Sequence, residues 1–582
     1  MGRKPNTTAT PRIKAARRYD TPQSLNAAIK GACDILRRSN CAGAMQYVPE
    51  LTWLLFLRIL DEREETEEAE AAVIGTEFYA TISAPFRWRD WAATGGTKRV
   101  EVEDSGQDFK KFVNEELLPH LRGLGERPDA TSRQKVLHEV LTSVERTRID
   151  NETNLRDLLD ILHPIQQKSI ADTHVFPLSQ IYESLLLKMG EKGNDGGQFF
   201  TPREVIRIVV EVLAPEIGET IYDPCCGTGG FLAQAAEYFV KKYSASRTTE
   251  QSRILSEETF YGCEKDDTVY PMAIANLVLH GIDRPHLWHG NTLTKERSAG
   301  SIFEDPFQFH DIVLSNPPFG GKESKETQKL FDFQTGATQV LFLQHILDSL
   351  KDGGRCGIVL DEGVLFRANE EGFVKTKKRL MDECELYCIV SLPGGVFSSA
   401  GAGVKTDLLF FRKGRATEKI WYYDLSGVKV GKTTPMTHEH FDGFFEALPE
   451  RKETERSWSI DIKARKAEAR AKYEPLREDA EKKRRESAHL KAERKAVRRT
   501  VDSSSPKLQA IDTKIESLER ESRELLTKAQ AIEWGVYDLK AVNPNAPEKP
   551  RPATPSELLQ RIASRETEIA DALTSLRSLI SE

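Results

Sequence analysis

The sequence predicts an α/β protein: a seven-stranded sheet with helices on both faces, preceded by an all-helical region and followed by a charged helical extension. Three observations predict it. Between about 165 and 415, short β-branched runs alternate with helical segments and Gly, Pro, Asp and Asn punctuation. From 21 to 160, apolar residues recur at helical spacing. Beyond about 450 the chain is highly charged yet keeps apolar residues three and four apart. At 582 residues and roughly 150 residues per domain, about three to four domains are expected rather than one core.

In chain order, residues 1–19 carry Arg3, Lys4, Arg12, Lys14, Arg17 and Arg18 with no apolar stretch behind them. They predict a disordered basic arm and not a secretory signal. Residues 20–160 predict one compact helical domain. Leu25, Ile29, Ala32, Ile35 and Leu36 share a helical face, Tyr47 to Leu60 reads as a buried helix, and Phe109 to Leu121 and Arg133 to Val144 continue the pattern. The stretch 61–70, DEREETEEAE, holds seven acids and one base and reads as a solvated helix end in preference to a binding surface. The longest apolar run, Leu51 to Leu60, contains Arg58 and falls short of the roughly 18 residues of a membrane span, so no membrane is expected among the partners.

The sheet-bearing domain is expected over 161–450. Its seven strands are TIYDP (220–224), TFYGCE (259–264), HLWHGN (286–291), DIVLSN (311–316), GRCGIVL (354–360), LYCIVSLP (386–393) and DLLFF (407–411). A charged helical region follows over 451–541. Residues 451–500 hold 18 Lys/Arg against 10 Asp/Glu, so the formal net charge of −7 conceals a local basic stretch. Leu508, Ile511, Ile515, Leu518, Leu525 and Ile532 form one apolar stripe; Leu559, Ile562, Ile569, Leu573, Leu576 and Ile580 form a second, with Ser522 and Glu566 interrupting them. A proline-rich linker, 542–555, separates them and leaves 556–582 as a coiled-coil-like C-terminal helix. Each stripe needs a surface to bury against, in another chain or in an intramolecular hairpin. Eight cysteines show neither a CxxC pair nor His/Cys ligand spacing. That argues against a metal site and a disulfide scaffold, and for reduced thiols in a cytoplasmic compartment.

Two segments carry the chemistry. DPCCGTGGFL (223–232) is a strand-turn-helix placed where a nucleoside cofactor binds in a doubly wound sheet. Gly227, Gly229 and Gly230 permit a sharp turn and close approach to a ligand, although neither the dinucleotide nor the P-loop fingerprint is matched. Glu264, ending the next strand, is placed to accept both hydroxyls of a ribose; taken alone it reads more readily as a surface carboxylate. SNPPFGG (315–321) follows the apolar strand DIVL. Asn316 offers a carboxamide oxygen, and the rigid Pro317 and Pro318 let the Pro317 carbonyl point the same way. Two convergent acceptors suit a planar amino group, and Phe319 offers a face for a ring to stack on. The ordinary alternative is a turn that ends a strand.

DPCCGTGGFL together with NPPF resembles the S-adenosylmethionine-dependent amino-methyltransferases of DNA, and GGQFFTPREV (196–205) resembles the extra cofactor motif of those with the gamma motif order. The resemblance extends to residues 24–60, LPGGVF (392–397) and KIWYYDL…TPMTHEHFDGFF (419–445), which are similar to segments of the modification subunit of type I restriction-modification systems. It covers roughly residues 20–450. Cys225-Cys226 departs from the usual pattern, but Asp223 and the glycines are intact.

The resemblance implies a Rossmann-like, seven-stranded methyltransferase sheet and S-adenosylmethionine as cofactor. It implies Gln198, Phe199, Phe200, Thr201, Pro202 and Arg203 as one wall of the cofactor site, Gly227, Thr228, Gly229 and Gly230 at the methionine end, Glu264 on the ribose and Asp223 toward the ammonium. Asn291 would sit near the adenine, or serve as a turn residue. Asn316, Pro317, Pro318 and Phe319 would form the catalytic tetrad acting on adenine N6 in double-stranded DNA; the tetrad alone leaves cytosine N4 open. No stretch of 150 to 200 residues follows that could be a target-recognition domain. The resemblance therefore implies a separate DNA specificity subunit, a second copy of the modification subunit and, as a further partner, a restriction (translocase) subunit. Methylation of protein glutamine or RNA guanine, or a non-catalytic clamp that keeps the fold, are the competing functions.

Overall fold

The structure is a computed structural model and describes residues 19, 21–165, 201–243, 246–297, 309–397, 404–431, 434–499, 505–540, 542–545 and 555–581. The basic arm, apart from Tyr19, lies outside the described residues, as do Gln198, Phe199 and Phe200.

The N-terminal region is helical. Helix α1 (Pro22–Arg38) starts where the Thr21 hydroxyl accepts from the Ser24 N–H at 3.1 Å, with proline in the first turn. Helix α2 (Ala44–Ile74) is buried from Val48 to Leu60, then emerges and stops at Gly75, whose φ is +80°. Its acidic half is not simply solvated, as the composition suggested. Glu67 pairs with Arg133 at 2.6 Å, Asp61 with Arg89 at 2.9 Å, and the buried Glu64 accepts from the Thr81 N–H at 2.8 Å. Helices α3 (Ser132–Leu141) and α4 (Glu152–Leu162), with the short helices between Trp88 and Leu124, add to the same core.

Ten strands among the described residues form one mixed sheet, not seven. They are β1 (Ile221–Asp223), β2 (Phe260–Glu264), β3 (His286–Asn291), β4 (Glu296–Arg297), β5 (His310–Ser315), β6 (Leu350–Asp361), β7 (Cys384–Ser391), β8 (Thr406–Lys413), β9 (Lys419–Asp424) and β10 (Ser457–Asp461), in the order β10-β9-β7-β8-β6-β5-β1-β2-β3-β4. All seven sequence-predicted strands are present. The additions lie at the two sides of the sheet: β4 hairpins onto β3, and β9 with the edge strand β10 extends the other side. The run β3-β2-β1-β5-β6 is parallel, and β8 is antiparallel between β6 and β7. The sheet is therefore not complete by 415 and continues through Asp461.

One face packs against α5 (Arg203–Leu213), α6 (Gly230–Tyr243) and α7 (Val269–Leu279), the other against α8 (Thr338–Ser349) and α9 (Glu371–Glu383). Helix α7 also meets α2 and α3, and Arg63 bonds Asp283 at 2.5 Å, which joins the helical region to the sheet. The strand order reverses at β1, which has β2 on one side and β5 on the other; a crevice beyond the carboxyl ends of parallel strands forms at such a point.

Beyond β10, α10 (Ile462–Val497) begins with the Asp461 carboxylate accepting from the Ala464 N–H at 2.8 Å. Helix α11 (Pro506–Gly535) runs back along it. Of the two surfaces open to the first stripe, another chain or an intramolecular hairpin, the structure shows the second: Leu508, Ile511, Ile515 and Leu518 lie against α10, whose buried positions include Ala469, Ala480 and Ser487. Ser522 does not break the stripe. It sits at a close crossing, where its hydroxyl donates to the Ala480 carbonyl at 2.9 Å. Ion pairs Arg477–Glu533, Lys483–Glu521, Lys491–Glu519 and Arg494–Asp512, each 2.5 Å, flank the seam. Val536, Tyr537 and Leu539 return to the core, where the Leu539 carbonyl accepts from the Tyr422 hydroxyl at 3.1 Å. The last helix, α12 (Pro555–Ser581), leaves the first half of its stripe open: Leu559 is 67% exposed, Ile562 56% and Ile569 59%. No helix among the described residues is long and apolar enough to cross a membrane.

Replacing Ser522 by Leu forces extra volume into the α10–α11 crossing and is expected to destabilise the hairpin by about 1–3 kcal/mol. Limited proteolysis checks this. Cleavage should appear within 462–535 while the sheet core stays resistant, and an unchanged digestion pattern would refute the close crossing.

Candidate active site

The carboxyl end of β1 runs into a turn that needs glycine. Gly227 has φ +55° and donates its N–H to Glu264 Oε2 at 2.9 Å. Gly229, at φ +78°, sits where a Cβ would lie 3.3 Å from the Leu277 side chain. Gly230 begins α6, and the Thr228 carbonyl accepts from Asn276 Nδ2 at 2.9 Å.

Glu264 closes this turn from β2. Its second oxygen accepts the N–H groups of Lys265 and Asp266, both at 2.8 Å. Burial pushes its carboxyl up to about 7, against the pull of those donors. Asp223, 1% exposed, accepts from the Cys225 N–H at 3.1 Å; burial and the nearby Glu264 charge raise it to about 8 despite that bond. Two carboxyls therefore share a water-poor edge, each held by backbone donors. Burial also holds the thiols of Cys225 and Cys226 well above their ordinary value, so neither supplies a thiolate nucleophile.

The second motif follows β5, the strand beside β1. Cys225 Sγ lies 3.2 Å from Ser315 Oγ and links the two turns. Asn316 Nδ2 donates to the Thr201 hydroxyl at 2.9 Å, which orients the carboxamide, and its Oδ1 is buried with no hydrogen-bond partner among the described residues. The Pro317 carbonyl accepts from Gln339 Nε2 at 3.2 Å and, having two lone pairs, keeps one available. Phe319 meets Phe397 edge to face, centroids 5.4 Å apart and planes at 85°.

The structure brings most of the sequence-predicted site residues to one edge of the sheet. Asp223, Gly227 and Glu264 form one hydrogen-bonded turn; Thr201, Asn316 and Pro317 form the neighbouring group. Pro202 caps α5, and Arg203 pairs with Glu237 on α6 at 2.8 Å. Burial alone would raise Glu237, but His280 and Arg203 bring it down to about 2. Asn291 Oδ1 accepts from the Leu293 N–H at 3.1 Å at the end of β3. Phe397 and Gln339 were missed. Phe397 lies in LPGGVF, whose resemblance to a family segment was the available signal; nothing in the sequence around Gln339 marks it.

A Gly-rich turn after the central strand, an acid ending its neighbour and an Asn-Pro-Pro-Phe turn on the other side define a mixed α/β fold of the methyltransferase type. Residues 173–478 match the family described as N-6 DNA Methylase, and residues 25–162 match the HsdM N-terminal domain. The type I restriction enzyme EcoEI methylase subunit of Escherichia coli is 36% identical over 454 residues, 75% of this chain and 87% of that protein. A solved structure from work on complex assembly and conformational transition of the type I R-M system matches with TM-score 0.62 and 32% identity, covering 96% of this chain and 99% of the other. A chain described as a modification subunit of a type I restriction enzyme from Vibrio vulnificus YJ016 matches with TM-score 0.65 and 31% identity, covering 77% and 94%. This chain belongs to the N-6 DNA methylase family.

A carboxyl with a raised folded-state pKa keeps its proton after the unfolded chain has lost it, so stability falls as pH rises between the two values. For Asp223 that window runs from the ordinary carboxylate range up to about 8. The melting temperature of ligand-free Asp223→Asn, which keeps the acceptor for Cys225, should therefore fall less steeply than that of the native chain across this window. Parallel curves by scanning calorimetry would count against the buried, protonated acid.

Proposed function

We propose that this chain transfers a methyl group from S-adenosylmethionine to N6 of adenine in duplex DNA, as the modification subunit of a type I restriction-modification system. One observation carries this most directly: the Asn316 carboxamide oxygen is buried, unpartnered among the described residues, and held in place through its own NH2. An acceptor fixed without a donor is what an incoming amino group requires.

The residues present fit the cofactor. Glu264 Oε2, which accepts only the Gly227 N–H, retains a lone pair for a ribose hydroxyl, while Oε1 is taken up by the Lys265 and Asp266 N–H groups. Asp223 offers a carboxyl that a nearby cation would ionise, and the Gly227–Gly230 turn keeps side chains out of the way. When bound, S-adenosylmethionine supplies an electrophilic methyl on a sulfonium. The chain's own residues act on the amine. Adenine has to leave the duplex stack to reach this edge. Phe319 then offers a ring face, and Asn316 Oδ1 and the Pro317 carbonyl accept the two amino hydrogens. The amine is conjugated and weakly nucleophilic; acceptors that strengthen their hold as it becomes tetrahedral and cationic favour the transition state over the ground state. The wall formed by Gln198, Phe199 and Phe200 is part of this proposal on the strength of the family motif.

Because the relatives are named as subunits of type I restriction enzymes, we assign site choice to a separate specificity subunit, with a second modification subunit and a restriction subunit as further partners in the cytoplasm. The open stripe of α12 is the assigned docking helix. The stripe on α11 is withdrawn from that role because α10 already covers it. In domain terms we propose 20–160 as the helical unit, a catalytic unit extended from 450 to Asp461 so as to include β10, and the charged region beyond it built on the α10–α11 hairpin.

Asn316→Ala is expected to abolish methyl transfer while S-adenosylmethionine binding by calorimetry stays nearly intact, because the side chain acts on the amine and not on the sulfonium. Retained turnover would overturn the assignment. Removing residues 556–582 should leave a folded, cofactor-binding chain that no longer assembles with its specificity subunit. Analytical ultracentrifugation reads this directly, and a full-size complex with the truncated chain would place docking elsewhere.

A further inference from the structure

Pro317 and Pro318 have no backbone N–H, so the centre of the Asn-Pro-Pro-Phe turn cannot be held by donated backbone hydrogen bonds. It is held from outside, through its acceptors and the Asn316 amide. Two side chains do this from opposite directions: Thr201, just before α5, takes the Asn316 NH2 at 2.9 Å, and Gln339, in the first turn of α8, donates to the Pro317 carbonyl at 3.2 Å. Gln339 is 4% exposed, and its own carbonyl accepts from the Asp361 N–H at the end of β6, 3.4 Å away. That second bond sets which end of the amide faces the loop. The NH2 points at Pro317 and the oxygen at β6. A carbonyl has two lone pairs in one plane, so a donor fixed on one of them defines the direction of the other.

We propose that Gln339 is a positioning residue for methyl transfer, orienting the Pro317 carbonyl so that its remaining lone pair meets the second hydrogen of the target amine. This rests on the amino-methyltransferase reading and deepens it. Gln339 need not touch substrate or cofactor. Without it the carbonyl can turn about the ψ of Pro317, and the convergence of the two acceptors is lost even though both atoms remain. A residue that merely packed α8 against the sheet would act differently: leucine of similar bulk would restore it, and no proton would matter. A donor role makes Gln339→Glu the discriminating substitution. When ionised, the introduced carboxylate faces the Pro317 carbonyl as a second acceptor; when protonated, its O–H donates as the amide did.

The test uses the full chain assembled with its specificity subunit on duplex DNA that carries its recognition sequence, and measures single-turnover methylation, S-adenosylmethionine affinity and melting temperature. Gln339→Leu should lower the single-turnover rate by at least about tenfold, with cofactor affinity within about twofold of native. Gln339→Glu should match Gln339→Leu near pH ~8.5, about two units above where a carboxyl moderately raised by burial protonates, and regain rate relative to the native chain as pH falls toward about 6. A native rate for Gln339→Leu overturns the proposal. So does a Gln339→Glu to native ratio that stays constant with pH. If Gln339→Leu does not fold, that ratio decides alone. Asn316→Ala in the same assay separates the two levels: if it turns over normally, the amino-methyltransferase reading has failed, whereas native turnover by Gln339→Leu beside an inactive Asn316→Ala removes only the positioning role.

Discussion

The parallel pairing of β1 with β5 is the constraint on which the rest depends. Ile221 lies opposite Ile312 and Tyr222 opposite Val313, so the residues that follow these strands emerge side by side although about ninety positions separate them in sequence. Register is set at the far end of the strands. The Thr220 N–H and hydroxyl both reach Asp311 Oδ2 at 2.9 Å, and Lys351 holds the same oxygen at 2.7 Å. A slip of one residue would turn Ile312 and Leu314 from one buried face to the other and carry Asn316 away from Thr201. The Cys225–Ser315 contact at the near end is a consequence of the same register.

That pairing brings polar groups into a place with little water, and the electrostatics follow. Asp223 and Glu264 sit at the ends of adjacent strands, pushed up to about 8 and about 7, because hydration is lost faster than backbone donors replace it. The Gly227 and Lys265 N–H groups keep Glu264 in position. A buried Asp223, raised above the ordinary carboxylate range, suits the proposed ammonium, which would favour its charged form, and the backbone-held Glu264 suits a neutral ribose hydroxyl. Across the β1–β5 step the chemistry is different. The Asn316 and Pro317 acceptors are neutral, which suits an amine that must stay unprotonated to be nucleophilic.

Much of this was legible in the sequence, and what was not has physical causes. Seven of the eight internal strands announce themselves through buried β-branched runs such as DIVLS and CIVS. Edge strands do not: SWSID is short and half polar, and β4 is two charged residues, so nothing in their composition separates them from loops. KIWYYD is apolar enough to be a strand, but it needs β10 beside it, and β10 was invisible. The α11 stripe was legible and its partner was not. Beyond Ile462 at its start, helix α10 buries alanine and serine, so the close-packed side of that helix leaves no hydrophobic signature. For the same reason Ser522 looked like an interruption when it is the contact. The site divided similarly. Asp223, Gly227, Glu264 and Asn316 carry recognisable patterns because backbone shape and acceptor chemistry demand those residue types. Gln339 lies in TQVLFLQHIL, where a buried glutamine acquires a role only from a proline carbonyl more than twenty residues earlier.

Consecutive prolines explain why that distant residue matters. They stiffen the turn in φ and remove both donors that would otherwise tie it to the sheet, so stiffness is gained at the expense of anchorage. Anchorage then has to come from neighbouring elements, and here it comes from two that sit on different faces of the sheet: the approach to α5 on one side and the start of α8 on the other. The active turn is thereby referenced to both layers of the domain. A displacement of either helix is transmitted to one acceptor and not to the other, changing the angle between them. Since an amine in the tetrahedral geometry of transfer presents its hydrogens at a fixed angle, that convergence is the quantity the surrounding fold has to protect, and the buried register of β1 and β5 is what protects it.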